Sequence, residues 1–328
     1  MVKNGLRNQN IDAVRGIACI FVVLVHCVLP GEFGQYVISY ARFAVPFFLL
    51  VSGWFAYSPD QTIALAKAKR KLKDTVLLTV SATLLYIAWN SYNQYHPRRP
   101  ILHWLTSYFS QQDAWYNFFV YNRAVFLCSV MYYLFMMIYV YILVIGVGKL
   151  GLSRKIRWFI PIGLVWNYVL GAVVRAPWFH SGNFLLTALP FFLLGGLLRE
   201  RFEEKPLPRK ALWIALAVGM VLTFVESKCL GDVYCYLGSM VTAVSVLLLC
   251  VGGTGAMPGW LAAFGRKYST YVFILHCGVR DTLNAMTKNT FGSRHPWLMP
   301  FVAIAISVAM GFVCELAKAG IGRLRKEK

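Results

Sequence analysis

Residues 15–26 read RGIACIFVVLVH, so Arg15 and His26 bracket ten residues suited to hydrocarbon. Inside a bilayer a guanidinium or an imidazole is expensive, and such groups mark sites that do something. At about 100° per residue, eleven steps close to within about 20° of three full turns, which places both side chains on one helix face. They stand about 16 Å apart along the axis at 1.5 Å per residue. An arginine there can hold a phosphate by charge-assisted hydrogen bonds. A histidine can take a proton from a hydroxyl near neutral pH, or attack a carbonyl itself. The plainer reading of Arg15 is a topology charge that snorkels to the surface.

A second group of residues lies in ARFAVPFFLLVSGWF at 41–55. Arg42 marks its outer end, Pro46 is expected to break the helical ladder, and Ser52–Gly53 falls deep in the run. Ser52 could donate to a carbonyl oxygen as charge develops, or let two helices approach. No base is paired with it in the sequence, which favours packing and positioning. Glu226 opens a later loop, where it could orient His26, meet a hydroxyl group or pair with Lys228. His276 sits in an apolar stretch with Arg280 one turn on, and a structural, hydrogen-bonded histidine is the plain alternative there.

The elements that must position these residues are membrane helices. The 328-residue chain is 58% hydrophobic and 14% charged, against about 45–50% and about 25% for a soluble domain. Runs of roughly 20 apolar residues predict an all-α polytopic membrane protein, a single domain over 1–328 with about ten transmembrane helices. The expected spans are 12–30, 36–57, 74–95, 124–147, 156–174, 184–199, 211–226, 235–252, 264–285 and 297–318. Of the 33 lysines and arginines, 24 fall in the terminal segments and alternate loops, which the positive-inside rule assigns, with both termini, to the cytoplasm. The net charge of +20 is read as that topology signal, and no basic–aromatic motif argues for nucleic acid. The KAKRKLK run at 67–73 could also attract an anionic donor. Arg15 beside the first apolar run, with no A-x-A site, speaks against a signal peptide.

Eight cysteines show neither a C-x-x-C pair nor zinc spacing, so no metal is expected. Cys229 and Cys235 share one loop and could pair in an oxidising compartment. Residues 96–123, long and aromatic, read as an interfacial or re-entrant segment, or as a lid over an external cavity.

R-x10-H followed by VPFFLLVSGWF resembles the membrane-bound acyltransferase-3 family. ALPFFLLGGLL at 188–198, VESKCLGDVYCYLG at 225–238 and FGRKYSTYVFILH at 264–276 are similar to further blocks of that family, in order. The resemblance implies a bundle of about ten helices in a bacterial inner (cytoplasmic) membrane. It implies an O-acyltransferase moving an acyl group, usually acetyl from acetyl-CoA, onto a hydroxyl of a cell-envelope glycan or lipid-linked sugar. The family's Arg and His fall on Arg15 and His26, its SG pair on Ser52 and Gly53, its second His on His276. On this reading His26, Ser52 and Glu226 are the catalytic candidates, and Arg15, Arg42 and His276 the donor-binding ones. The chain departs from the pattern at SVMYYLF and at Gly182–Asn183, where related sequences often have Arg–Asn. It carries no esterase-like extension, so an acyl relay onward would need a separate protein. Two other readings stay open: a transporter of a small amino acid such as serine, and a non-catalytic membrane partner.

Overall fold

A computed structural model describes residues 8–95, 100–253, 257–288 and 290–324. Lys3, Arg7, Arg98, Arg99, Arg325, Lys326 and Lys328, which entered the charge count, lie outside them. Every regular element among the described residues is helical. In chain order these begin with α1 (Gln9–His26), α2 (Gly31–Ala41), α3 (Ala44–Ala56), α4 (Gln61–Asn93), α5 (His103–Phe109), α6 (Ala114–Tyr121), α7 (Met131–Lys149) and α8 (Phe159–Tyr168). The second half of the chain forms α9 (Trp178–Ser181), α10 (Leu189–Glu204), α11 (Arg209–Leu230), α12 (Leu237–Val251), α13 (Gly259–Lys267), α14 (Ser269–Met286), α15 (Thr290–Arg294) and α16 (Met299–Leu324).

Seven stretches among the described residues are long and apolar enough to cross a membrane: Gln9–His26, Gly31–Ala56, Gln61–Asn93, Met131–Lys149, Lys155–Val173, Arg209–Leu230 and Met299–Ala319. The other three expected spans are helical but do not meet that description. The α10 helix has 16 residues and ends in charged RERFEE, and α12 has 15. Residues 264–285 divide at Tyr268 between α13 and α14, and α14 carries Arg280 and Asp281.

The chain forms two compact units, Met1–Ala41 with Gly253–Lys328, and Arg42–Gly252. In the first, α1 begins at Asn8, whose side chain accepts from the Asn10 and Ile11 amides, and Asp12 in the first turn suits the positive end of the helix dipole. It crosses α13 at backbone contact: a Cβ on Gly265 would sit 1.8 Å from the Asp12 carbonyl oxygen. Only small residues permit that approach, and Ala13, Leu261 and Ala262 fill the space beside it. The α1 helix also packs on α14, and α14 on α16.

In the second unit α3 and α10 cross as closely. A Cβ on Gly53 would stand 1.8 Å from the Phe192 carbonyl oxygen, and one on Gly195 2.1 Å from that of Leu50. Pro46, expected to break the ladder, lies instead in the first turn of α3, where a missing amide leaves no helical bond unmade. The basic run 67–73, read as a loop, lies within the 33-residue α4, capped by Asp60 through the Thr62 and Ile63 amides. Lys, Arg, Ala and Leu are good helix formers, so nothing in KAKRKLK stops the helix. Residues 103–121 form the short helices α5 and α6, where Phe109 contacts the rings of Trp115, Phe118 and Phe126.

Candidate active site

The first unit gathers the two histidines. His26 is the last residue of α1 and His276 lies mid-way along α14, with ring centroids 5.4 Å apart. His276 is fully buried, and its Nδ1 lies 2.7 Å from the Val272 carbonyl oxygen. A carbonyl oxygen can only accept, so Nδ1 carries the proton and Nε2 keeps its lone pair. That lone pair faces Cys277 Sγ at 3.3 Å.

Arg280, one turn past His276, ties this region together. Its Nη1 donates to the His26 carbonyl oxygen at 2.7 Å, while Nε and Nη2 reach Asp281 Oδ1 at 2.8 and 2.7 Å. A cation at the C-terminus of α1 answers the carbonyls left without helical partners. His26, Cys27, Arg280, Asn284, Ser293 and Met299 line a cavity of about 310 Å³. Sequence reasoning treated Arg280 only as a neighbour of His276 and overlooked Asn284 and Cys277. Their positions at 277, 280 and 284, three and four apart in one helix, were the signal to read.

Arg15 lies eleven residues before His26 on α1. Its Nη1 stands 3.7 Å from Asp12 Oδ1, and the arginine side chain is about one-third exposed while the aspartate is buried. The FGRKYSTYVFILH block contributes structure as well as His276. Gly265 makes the α1 crossing, Ser269 Oγ donates to the Gly265 carbonyl, and the Ser269 carbonyl accepts from Cys19 Sγ at 3.2 Å.

The remaining candidates belong to the second unit. Ser52 Oγ donates to the Phe48 carbonyl at 2.8 Å, while its neighbour Gly53 makes the α10 contact. Arg42 donates to Asp232 Oδ1 at 2.6 Å. Nearby, the Tyr132 and Tyr234 hydroxyls are 3.2 Å apart. Burial, and then Tyr132, push Tyr234 well above the usual tyrosine range, so it stays neutral.

Glu226 is buried, and its two oxygens accept from the Leu237 and Gly238 amides at 3.2 and 2.8 Å. It therefore caps α12 across the loop. Cys229 and Cys235 are free thiols, the first exposed and the second buried. At the departure site, a Cβ on Gly182 would stand 2.7 Å from the Tyr234 ring. An arginine there would displace that ring, and Asn183 instead holds the turn through its side chain. A larger cleft of about 670 Å³ in this unit includes Tyr57 and the Arg157–Glu200 ion pair.

One nitrogen from each of His26 and His276 and the Cys277 sulfur lie within 4.8 Å of one another, close enough to share a metal ion. The Arg280 guanidinium, three residues past Cys277 in the same helix, opposes a dication by like charge. The arrangement as it stands offers a base at a cavity wall, a second imidazole behind it, and a fixed cation. No curated protein and no solved structure matched the chain in comparison. A family model described as an acyltransferase domain matches residues 8–316, nearly the whole sequence. The chain belongs to the acyltransferase-3 family and is a membrane acyltransferase.

Proposed function

We propose that the protein transfers an acyl group, acetyl in the first instance, from cytoplasmic acyl-CoA to a hydroxyl of a cell-envelope glycan or lipid-linked sugar. The observation that carries the reading is the placement of His26, at the wall of a cavity with Arg280 and Asn284 and 5.4 Å from the His276 ring. In this account the acceptor hydroxyl enters the cavity and gives its proton to His26 as it attacks the acyl carbonyl. Arg280, held by Asp281 and the His26 carbonyl, faces the oxyanion that develops, where a fixed cation stabilises the transition state more than the ground state.

Arg15, about three turns before His26 on α1, is assigned the phosphates of the donor; its 3.7 Å contact with Asp12 is long enough to yield to a charge-assisted bond. The α1 axis then separates donor and acceptor by about three turns, and the excess of basic residues supports a cytoplasmic side for Arg15 and both termini, in a bacterial inner membrane on the family reading. Ten crossings require the shorter α10, α12 and α14 to span as well. Family membership favours acyl transfer over movement of an amino acid.

The test is steady-state release of CoA thiol from acetyl-CoA by the purified chain in the presence of a cell-envelope glycan acceptor. Wild type should release thiol, His26→Ala should lose the activity while remaining folded, and Arg15→Ala should chiefly raise KM for the donor. Undiminished release by His26→Ala would remove that residue from the mechanism, and a wild type that does not bind CoA would remove the donor assignment.

A further inference from the structure

Cys277 is not explained by an acyl transfer that runs directly from CoA to acceptor. It is fully buried beside a fully buried histidine. Cys277 Sγ stands 3.3 Å from His276 Nε2, and the tautomer is set from the far side of the ring by the Val272 carbonyl at 2.7 Å. Nucleophile, base and orienting group thus stand in series, the arrangement that activates a thiol for covalent catalysis. Arg280, three residues on in the same helix, is held at the His26 carbonyl. The second imidazole, His26, lies 5.4 Å from the His276 ring and lines the cavity.

We infer that Cys277 is an acyl-carrying nucleophile, with His276 as its base and His26 serving the acceptor. The inference rests on the acyl-transfer reading and divides it into two half-reactions. In the first, His276 Nε2 takes the thiol proton as Sγ attacks the carbonyl of acyl-CoA. The bond from that carbonyl to the CoA sulfur breaks, and the departing thiolate takes the proton from His276. One thioester replaces another, so no oxidant or reductant is needed. In the second, the acceptor hydroxyl gives its proton to His26 and its oxygen attacks the Cys277 thioester. The C–Sγ bond breaks, and the cysteine thiolate recovers that proton. Full burial of Sγ shields the intermediate from hydrolysis between the two halves.

The experiment incubates the purified full chain with radiolabelled acetyl-CoA without acceptor, follows CoA thiol release, quenches in acid and maps the label by peptide mass spectrometry. Expected are a burst of one CoA per chain and acetyl on Cys277 that neutral hydroxylamine removes. Cys277→Ser, close in size, should abolish the hydroxylamine-sensitive label and lower thiol release by about 100-fold or more. Cys19→Ser should retain both. Label on His26, or wild-type rates of release in both Cys277→Ser and Cys277→Ala, would overturn the inference and leave acyl transfer standing. Zinc bound one per chain and lost in Cys277→Ser would overturn it too, by making the thiol a ligand. A wild type that releases no thiol from any acyl-CoA would overturn both proposals.

Discussion

The α1–α14 contact and the α3–α10 contact both carry family-pattern residues, yet they use them differently. Between α1 and α14 the pattern residues are His26 and His276, and their imidazoles face each other beside a cavity. Between α3 and α10 the pattern residues are Gly53 and Gly195, whose importance is the absence of a side chain. The first contact places polar groups where lipid-facing helices seldom tolerate them. The second lets two backbones touch, which supplies the packing that helices in lipid otherwise lack. A sequence pattern therefore does not separate chemistry from architecture; the contact each residue makes does.

The contrast can be broken at graded strengths. The largest effect is expected from Gly53→Leu, because its side chain would start 1.8 Å from the Phe192 carbonyl and neither backbone can yield. Folded, monodisperse protein should be lost, measured by size-exclusion recovery. His26→Ala should leave that recovery unchanged while acceptor-dependent turnover of acetyl-CoA drops by about 100- to 10,000-fold, the range for a missing general base. Arg280→Ala should cost about 10- to 100-fold in kcat, equivalent to about 1.4–2.7 kcal/mol of transition-state stabilisation, with Arg280→Lys recovering part of it.

Glu226→Gln should act on stability alone. Replacing the carboxylate that caps the Leu237 and Gly238 amides should lower stability by about 1.5–3 kcal/mol, visible as a reduced Tm, with kcat kept within about twofold of wild type. A large kcat loss at unchanged Tm would instead restore Glu226 to the catalytic group. Ser52→Ala should change least, since Oγ bonds the Phe48 carbonyl of its own helix and such bonds add little to helix stability.

Much of this was legible in the sequence because apolar runs and helical phase are local properties. The seven long helices coincide with expected spans, and the Arg15–His26 spacing anticipated a common helix. What was hidden depended on partners far along the chain. Nothing near Glu226 announces that its carboxylate caps α12, since the acceptor geometry exists only once the 231–236 loop has turned back. Pro46 reads as a breaker until α2 and α3 are seen to divide before it. Lys67–Lys73 reads as a loop because charge suggests solvent, although charge does not oppose a helix. Cys277 has no C-x-x-C or zinc spacing to mark it, a cysteine in an apolar run usually packs as a small hydrophobe, and the histidine ring 3.3 Å away is visible only in the structure.

Two helical stretches, Val169–Val173 and Phe184–Ala188, are wound as wide π turns. Each takes up one residue more than the ordinary pitch requires. Deleting a residue from either leaves the chain a way to return to regular winding without rotating the adjoining helix. The α1 helix has no such slack between Arg15 and His26. Removing one residue there would swing His26 by about 100° around the helix, away from His276 and the cavity. Length variation should thus be absorbed around α9, while α1 has to keep its residue count to keep its chemistry.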